Sequence, residues 1–189
     1  CQVTGIDLSG EYVNVANALA ARVGLGERVV CEQGSALALP FAEQSFAAAY
    51  MFHVGMNIED KSKLFAEVRR VLTPSGVFGI YDVMRLAPGD LSYPVPWASG
   101  PETSFVADAA SYRRALEAAG FEVIKERSRR EFALEMFAQM RARGAAAGPP
   151  PLGLHIVMGA DAAQKVKNMI GDISFGLIAP TELICRVAG

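Results

Sequence analysis

Leu64-Phe65-Ala66-Glu67-Val68-Arg69-Arg70-Val71-Leu72-Thr73-Pro74-Ser75-Gly76-Val77-Phe78-Gly79-Ile80-Tyr81-Asp82-Val83 changes period in its middle. Up to Leu72 the apolar residues Leu64, Phe65, Val68, Val71 and Leu72 recur every three or four positions, which places them on one side of a helix over 61–72. Lys63, Glu67 and Arg70 fall on the other side. Thr73-Pro74-Ser75-Gly76 then reads as a turn, because proline presets φ at its second position and glycine frees its fourth. Residues 77–83 follow as a strand. Helix, turn and strand in such short order form the repeating unit of an α/β domain.

The same alternation extends outward on both sides. Toward the N-terminus, Val3-Thr4-Gly5-Ile6-Asp7 is a short apolar run ending in an acid, and Ser9 offers a helix N-cap. Apolar residues at 12, 13, 16, 19, 20 and 23 keep helical spacing until Gly24. Residues 28–32 form a second strand that runs into Gly34-Ser35-Ala36. Residues 46–52 form a third, apolar on both sides as a central parallel strand requires. Toward the C-terminus, Pro88, Pro94, Pro96, Gly100 and Pro101 mark a long loop of the kind that often serves as a lid. A helix over 111–119 capped by Gly120, a strand over 121–126 and an amphipathic helix over 131–143 come next, the last with Phe132, Met136, Phe137 and Met140 in line. Residues 144–151 read as a mobile hinge. Asp161 with Gln164 resembles a capping box for a helix reaching 170, and 181–187 is the final strand. Strands alternating with helices predict a mostly parallel sheet with helices on both faces. The whole reads as one domain over 1–189, with a helical insert at about 131–180.

Composition narrows the function. Of 189 residues, 51% are hydrophobic and 20% charged, so the chain can bury a core and is not disordered. A net charge of -2 provides no basic face for phosphates, which argues against nucleic acid as a partner. Cys1, Cys31 and Cys185 lie far apart without a C-x-x-C pair, so neither a disulfide framework nor a metal site is expected, and reduced thiols fit a cytoplasmic protein. No apolar run is long enough to span a membrane, and no basic segment leads into a signal sequence. No amphipathic basic helix suggests docking at a membrane surface. Cys1 is not an initiator methionine, and Val3 already opens a strand, so the chain is expected to be a truncation of a longer protein.

Several residues are placed for chemistry. Asp7, at the carboxyl end of a strand, is suited to accept hydrogen bonds from both hydroxyls of a ribose; a surface acid or N-cap fits the position equally well. Gly34-Ser35-Ala36 lets backbone approach a planar ring, with Ser35 able to bond an adenine edge; an ordinary strand-to-loop turn is the simpler account. His53 ends the third strand and titrates near neutrality, which makes it the best candidate for a general base. Tyr81 and Asp82 end the next strand and could orient an amine or hydroxyl, with plain sheet-edge polarity as the alternative. Tyr93 and Trp97 suit either an acceptor lid or a packed loop anchor. Met136, Met140, Met158 and Met169 read as flexible core, and the basic run 125–130 as a solvated strand end.

Order and spacing add a resemblance. Leu39-Pro40-Phe41, Ser45-Phe46, Arg70-Val71-Leu72-Thr73-Pro74-Ser75-Gly76 and Ala118-Ala119-Gly120-Phe121 resemble, in sequence order, motifs of the class I S-adenosylmethionine-dependent methyltransferases, the group with the ubiquinone/menaquinone and small-amine enzymes. The resemblance covers about the first two thirds of the chain. It implies a Rossmann-like three-layer αβα sandwich with an antiparallel last strand, and S-adenosylmethionine as cofactor. By position it assigns the ribose to Asp7, the adenine to Leu8, Gly34, Ser35, Ala36 and Leu37, and the methionine and acceptor side to Met51 and His53. The acceptor would be a small molecule. Serine at 35, alanine at 47 and serine at 75 depart from the usual aspartate, aspartate and glycine. The family's first strand and glycine-rich loop are missing before Cys1, so this chain alone is expected to bind cofactor weakly or not at all. Two other readings remain. A degenerate domain of the same fold would bind or regulate a partner without catalysis. A short-chain dehydrogenase would need a tyrosine with lysine four residues on, and none of Tyr12, Tyr50, Tyr81, Tyr93 or Tyr112 has one.

Overall fold

A computed structural model describes residues 1–147 and 152–189. Strand β1 (Val3–Asp7) leads into helix α1 (Gly10–Arg22), whose N-cap Ser9 accepts from the Tyr12 amide, and Gly24 beyond the helix takes φ +74. β2 (Val29–Gln33) pairs with β1 in parallel, from Val3 opposite Val29 to Asp7 opposite Gln33. The Asn17 side chain of α1 exchanges two hydrogen bonds with the backbone of Cys31, which ties the helix to β2.

β3 (Phe46–Phe52), α2 (Lys61–Val71), β4 (Leu72–Arg85), α3 (Ala109–Ala118), β5 (Phe121–Ser128) and β6 (Ile178–Val187) form the larger unit, with strand order β3-β4-β6-β5. β3 and β4 are parallel, and β6 is antiparallel to both β4 and β5. β6 is therefore the one reversed strand among the described residues, as expected for the last strand. The expected turn at 73–76 lies within the observed bounds of β4. Leu72 pairs with Phe46 and Val77 with Ala48, so four residues of β4 bulge out opposite one of β3.

The main core lies between the sheet and helices α2 and α3. Phe78, Ile80 and Met84 of β4 project from one face onto Leu64, Phe65 and Val68 of α2 and Tyr112 and Leu116 of α3. Phe65 links Phe78 and Tyr112 at centroid distances of 6.1 and 5.7 Å, and Phe78 reaches Phe121 at 5.7 Å. Cys185 is buried here, and desolvation pushes its thiol up to about 12, so it is unreactive. A second cluster of Val83, Leu91, Ile173 and Ile178 lies at the carboxyl end of β4, packed against α4 (Arg130–Ala147) and α6 (Ala162–Ser174), with α5 (Leu154–Met158) resting on α6.

Three expectations need correction. β3 is not a central strand: it ends its sheet, no described strand pairs with its other edge, and Tyr50 and Phe52 are 63% and 60% exposed. In α4 the line of Phe132, Met136 and Met140 faces solvent, and the inward side carries Ala133, Leu134 and Phe137. Asp161 makes no side-chain cap to α6, and Gln164 instead donates to Asn168 one turn on. The expected hinge is helical through Ala147, and its remainder, 148–151, lies outside the described residues. In the basic run near the end of β5, Lys125 and Arg127 both meet Glu182 while remaining about half exposed, consistent with a solvated strand end. No described helix is long and apolar enough to cross a membrane.

Candidate functional site

The carboxyl ends of β1 and β2 meet. The Gly34 amide donates to the Asp7 carbonyl at 3.0 Å, and the Gln33 side chain donates to the Leu8 carbonyl at 3.0 Å. Asp7 is exposed, and one of its carboxylate oxygens accepts from the Ser9 amide at 2.7 Å, an Asx turn that fixes the side chain and leaves the second oxygen facing outward. Leu8 beside it is 74% exposed. A Cβ at Gly34 would make ordinary contacts of 3.6–3.7 Å with Ile6 and Pro40, so nothing within the chain demands glycine there. The Ser35 hydroxyl accepts from the Leu37 amide at 3.1 Å, which commits a lone pair and leaves its proton free to donate. Ala36 and Leu37 are half-buried against the main core.

This corner is held from below by α2. Arg70 donates to the carbonyls of Phe41 and Leu39 at 2.7 and 2.9 Å, and Glu67 accepts from the Leu39 amide at 2.8 Å. Arg70 and Glu67 also bond each other, which holds the Glu67 carboxyl below its usual range. The two sequence motifs, Leu39-Pro40-Phe41 and Arg70-Val71-Leu72, are thus two halves of one contact.

At the end of β3 the predicted residues part company. Met51 is 8% exposed and its side chain is packed in the main core. His53 follows in the left-handed region at φ +52, an uncommon conformation for a side chain with a Cβ. Its amide donates to the Tyr81 carbonyl at 2.8 Å and its ring meets the Tyr81 ring edge-on at 5.0 Å. Much of His53 remains open to solvent, yet the surrounding chain desolvates the imidazole enough to lower its pKa.

Alternation along β4 separates Tyr81 from Asp82. Tyr81 shares the His53 side, whereas Asp82 is 0% exposed on the opposite face. There it accepts from the Tyr112 hydroxyl at 2.6 Å and the Val83 amide at 3.0 Å. Sequence reasoning missed this group, since Tyr112 lies thirty residues away and was legible only as one position of a helix face. Trp97 and Tyr93 pack against the second cluster, and the Trp97 indole donates to Ser104 at 3.0 Å. An open cavity of about 370 Å³ lies beside them, lined in part by Val95, Trp97, Thr103 and Lys165. Among the described residues no His, Cys, Asp and Glu are grouped so as to hold a metal ion.

A two-stranded parallel sheet and a four-stranded sheet that is parallel except for its reversed last strand, flanked by helices, form a Rossmann-like fold. In this form it is the fold of solved S-adenosylmethionine-dependent methyltransferases. Residues 1–80 match the methyltransferase domain family. A sterol 24-C-methyltransferase of Gibberella zeae is 32% identical over 80 residues, 42% of this chain and 21% of that protein. Erythromycin 3''-O-methyltransferase of Saccharopolyspora erythraea is 28% identical over 145 residues, 71% of this chain and 47% of that protein. The chain thus spans from about a fifth to about half the length of these curated relatives. Geranyl diphosphate C-methyltransferase from Streptomyces coelicolor A3(2), solved with Mg2+, geranyl diphosphate and S-adenosyl-L-homocysteine, superposes with a TM-score of 0.76 at 17% identity, covering 99% of this chain and 63% of that one.

Proposed function

We propose that this domain serves methyl transfer from S-adenosylmethionine to a small organic acceptor, with the nucleoside held at Asp7, Leu8, Gly34, Ser35, Ala36 and Leu37. The observation that carries the reading is the 3.0 Å bond from Gly34 to Asp7, which puts an exposed carboxylate and an uncrowded glycine corner at one crevice. These residues fit the group. The outward oxygen of Asp7 suits ribose hydroxyls, and the Ser35 proton suits a ring nitrogen of adenine. Bound S-adenosylmethionine supplies an electrophilic methyl group. Met51 contributes as a buried support of the crevice end of β3, and His53 faces the acceptor. Desolvation keeps the imidazole neutral at neutral pH, the form that accepts a proton from an acceptor hydroxyl or ammonium. The acceptor is a small molecule, as the names of the sterol, erythromycin and geranyl diphosphate methyltransferases suggest.

Calorimetric titration with S-adenosylhomocysteine tests this. This chain alone is expected to bind weakly or not at all, so it is compared with a chain extended by the family's first strand and glycine-rich loop. The extended chain is expected to release binding heat, and its Asp7→Ala variant to bind roughly tenfold more weakly or worse, a loss of ~1.4 kcal/mol or more. Absence of binding by both chains, or equal binding by the extended chain and its D7A variant, would overturn the assignment.

A further inference from the structure

The buried group around Asp82 does more than fill the core. The 3-10 turn Gly55–Asn57 rests directly on it: a Cβ at Gly55 would collide with the Asp82 carboxylate and the Tyr112 hydroxyl. Glycine at 55 is thus required by close approach, and the backbone of the turn is seated against the Asp82 carboxylate and the Tyr112 hydroxyl. On its far side the turn holds residues 97–105. Asn57 donates to the carbonyls of Trp97 and Thr103 at 2.8 and 3.1 Å, and the Phe105 amide donates to Met56 at 2.7 Å. Lys61 bridges both segments, donating to the carbonyls of Ile58 and of Phe105, while its ammonium sits 5.4 Å from the centre of the Tyr112 ring. The turn itself begins two residues after His53.

We propose that Asp82, Tyr112 and Lys61 are positioning residues that hold the Gly55–Asn57 turn and, through Asn57, the strap of residues 97–105 in the one arrangement that walls the open cavity at Trp97 and Thr103. The designation of that wall as the acceptor side rests on the methyltransferase reading; the mechanical coupling does not. The group acts in series. Tyr112 fixes the carboxylate, the carboxylate fixes the turn, and the turn fixes the strap, with every buried polar atom partnered. An exposed loop with few apolar anchors gains a defined position in this way, which sequence-local bonds alone would not give it.

Trp97 is the only tryptophan in the chain and lies on the strap, so its emission reports strap position without cofactor or acceptor. Tyr112→Phe is expected to move Trp97 emission to longer wavelength and to raise its quenching by acrylamide at least twofold. Asn57→Ala, at an exposed position, is expected to do the same with the far-ultraviolet circular dichroism unchanged. The double variant should move the signal no further than the larger single one, because the two act on one chain of contacts. Leu116→Ala, which weakens the same core without touching the turn, should leave native Trp97 emission unaltered. If Tyr112→Phe fails to fold, Asn57→Ala and Lys61→Met decide. Unchanged emission in the folded variants, or an equal change in Leu116→Ala, would overturn the proposal. Failure of S-adenosylhomocysteine to bind the extended chain would sink the methyltransferase reading and leave this coupling standing; a flat Trp97 response would do the reverse.

Discussion

A carboxyl group with no exposed surface must have its charge held or give it up, and Asp82 does part of each. Burial pushes its pKa up to about 6, outweighing the two hydrogen-bond donors and the Lys61 ammonium that favour the carboxylate. The folded state therefore holds this proton more tightly than the unfolded chain. The contribution to stability is full below the unfolded value near 4 and is lost as pH rises through about 6, a loss of ~3 kcal/mol. His53, with its pKa lowered, pulls the opposite way in the same window, so the wild-type profile alone does not isolate Asp82. The difference between wild type and Asp82→Asn does. Denaturant titrations from pH 4 to 7 are expected to show wild type losing stability relative to D82N as pH rises; parallel profiles would refute the assignment. Part of this was legible. Strand alternation already puts Tyr81 and Asp82 on opposite faces, so only one of them can face an acceptor. The partner Tyr112 was not legible, because a single hydroxyl on an apolar helix face carries no sign of what it meets.

At the scale of elements, the boundaries of strands and helices followed the sequence where local chemistry sets them. β1, β3 and the N-cap of α1 stand where expected, because β-branched and apolar runs and a serine cap are local signals. Expectations failed where packing chooses among faces. In α4 two apolar lines compete, and the one meeting the second cluster through Leu134 and Phe137 is buried. The contact of α2 with residues 39–41 shows a different limit: two motifs were recognised as co-occurring, but their order alone does not reveal that Arg70 binds the carbonyls of Leu39 and Phe41. Arg70→Ala removes two hydrogen bonds to that loop and leaves Glu67 to hold Leu39 alone. Amide exchange at Leu39 is expected to quicken roughly tenfold, measured by hydrogen–deuterium exchange with protection at Ile80 unchanged. Arg70→Lys, lacking the planar fork, should fall between. An unchanged Leu39 rate would show that the loop is held by its apolar contacts instead.

Across the whole molecule, the two apolar clusters divide the labour of stability. The first is laid down by β4, β6, α2 and α3 and is long-range in sequence; the second depends on α4, α6 and the loop after β4. Val83 of β4 lies in the second while its neighbours Asp82 and Met84 face the first, so one strand feeds both through its alternate sides. The link between them is narrow, and regions joined this way open separately when one is weakened. Ile173 of α6 is fully buried in the second cluster, and Arg130 donates to its carbonyl at 2.8 Å, which pins α6 to the start of α4. Ile173→Ala leaves that bond but opens a cavity costing ~2–4 kcal/mol. Amides of α6 and of residues 91–97 are expected to exchange faster by an amount matching that loss, while those pairing Phe78 with Cys185 keep wild-type protection. A uniform rise across both clusters would mean that they unfold as one, and that the helices of the second are as integral to the domain as the sheet itself.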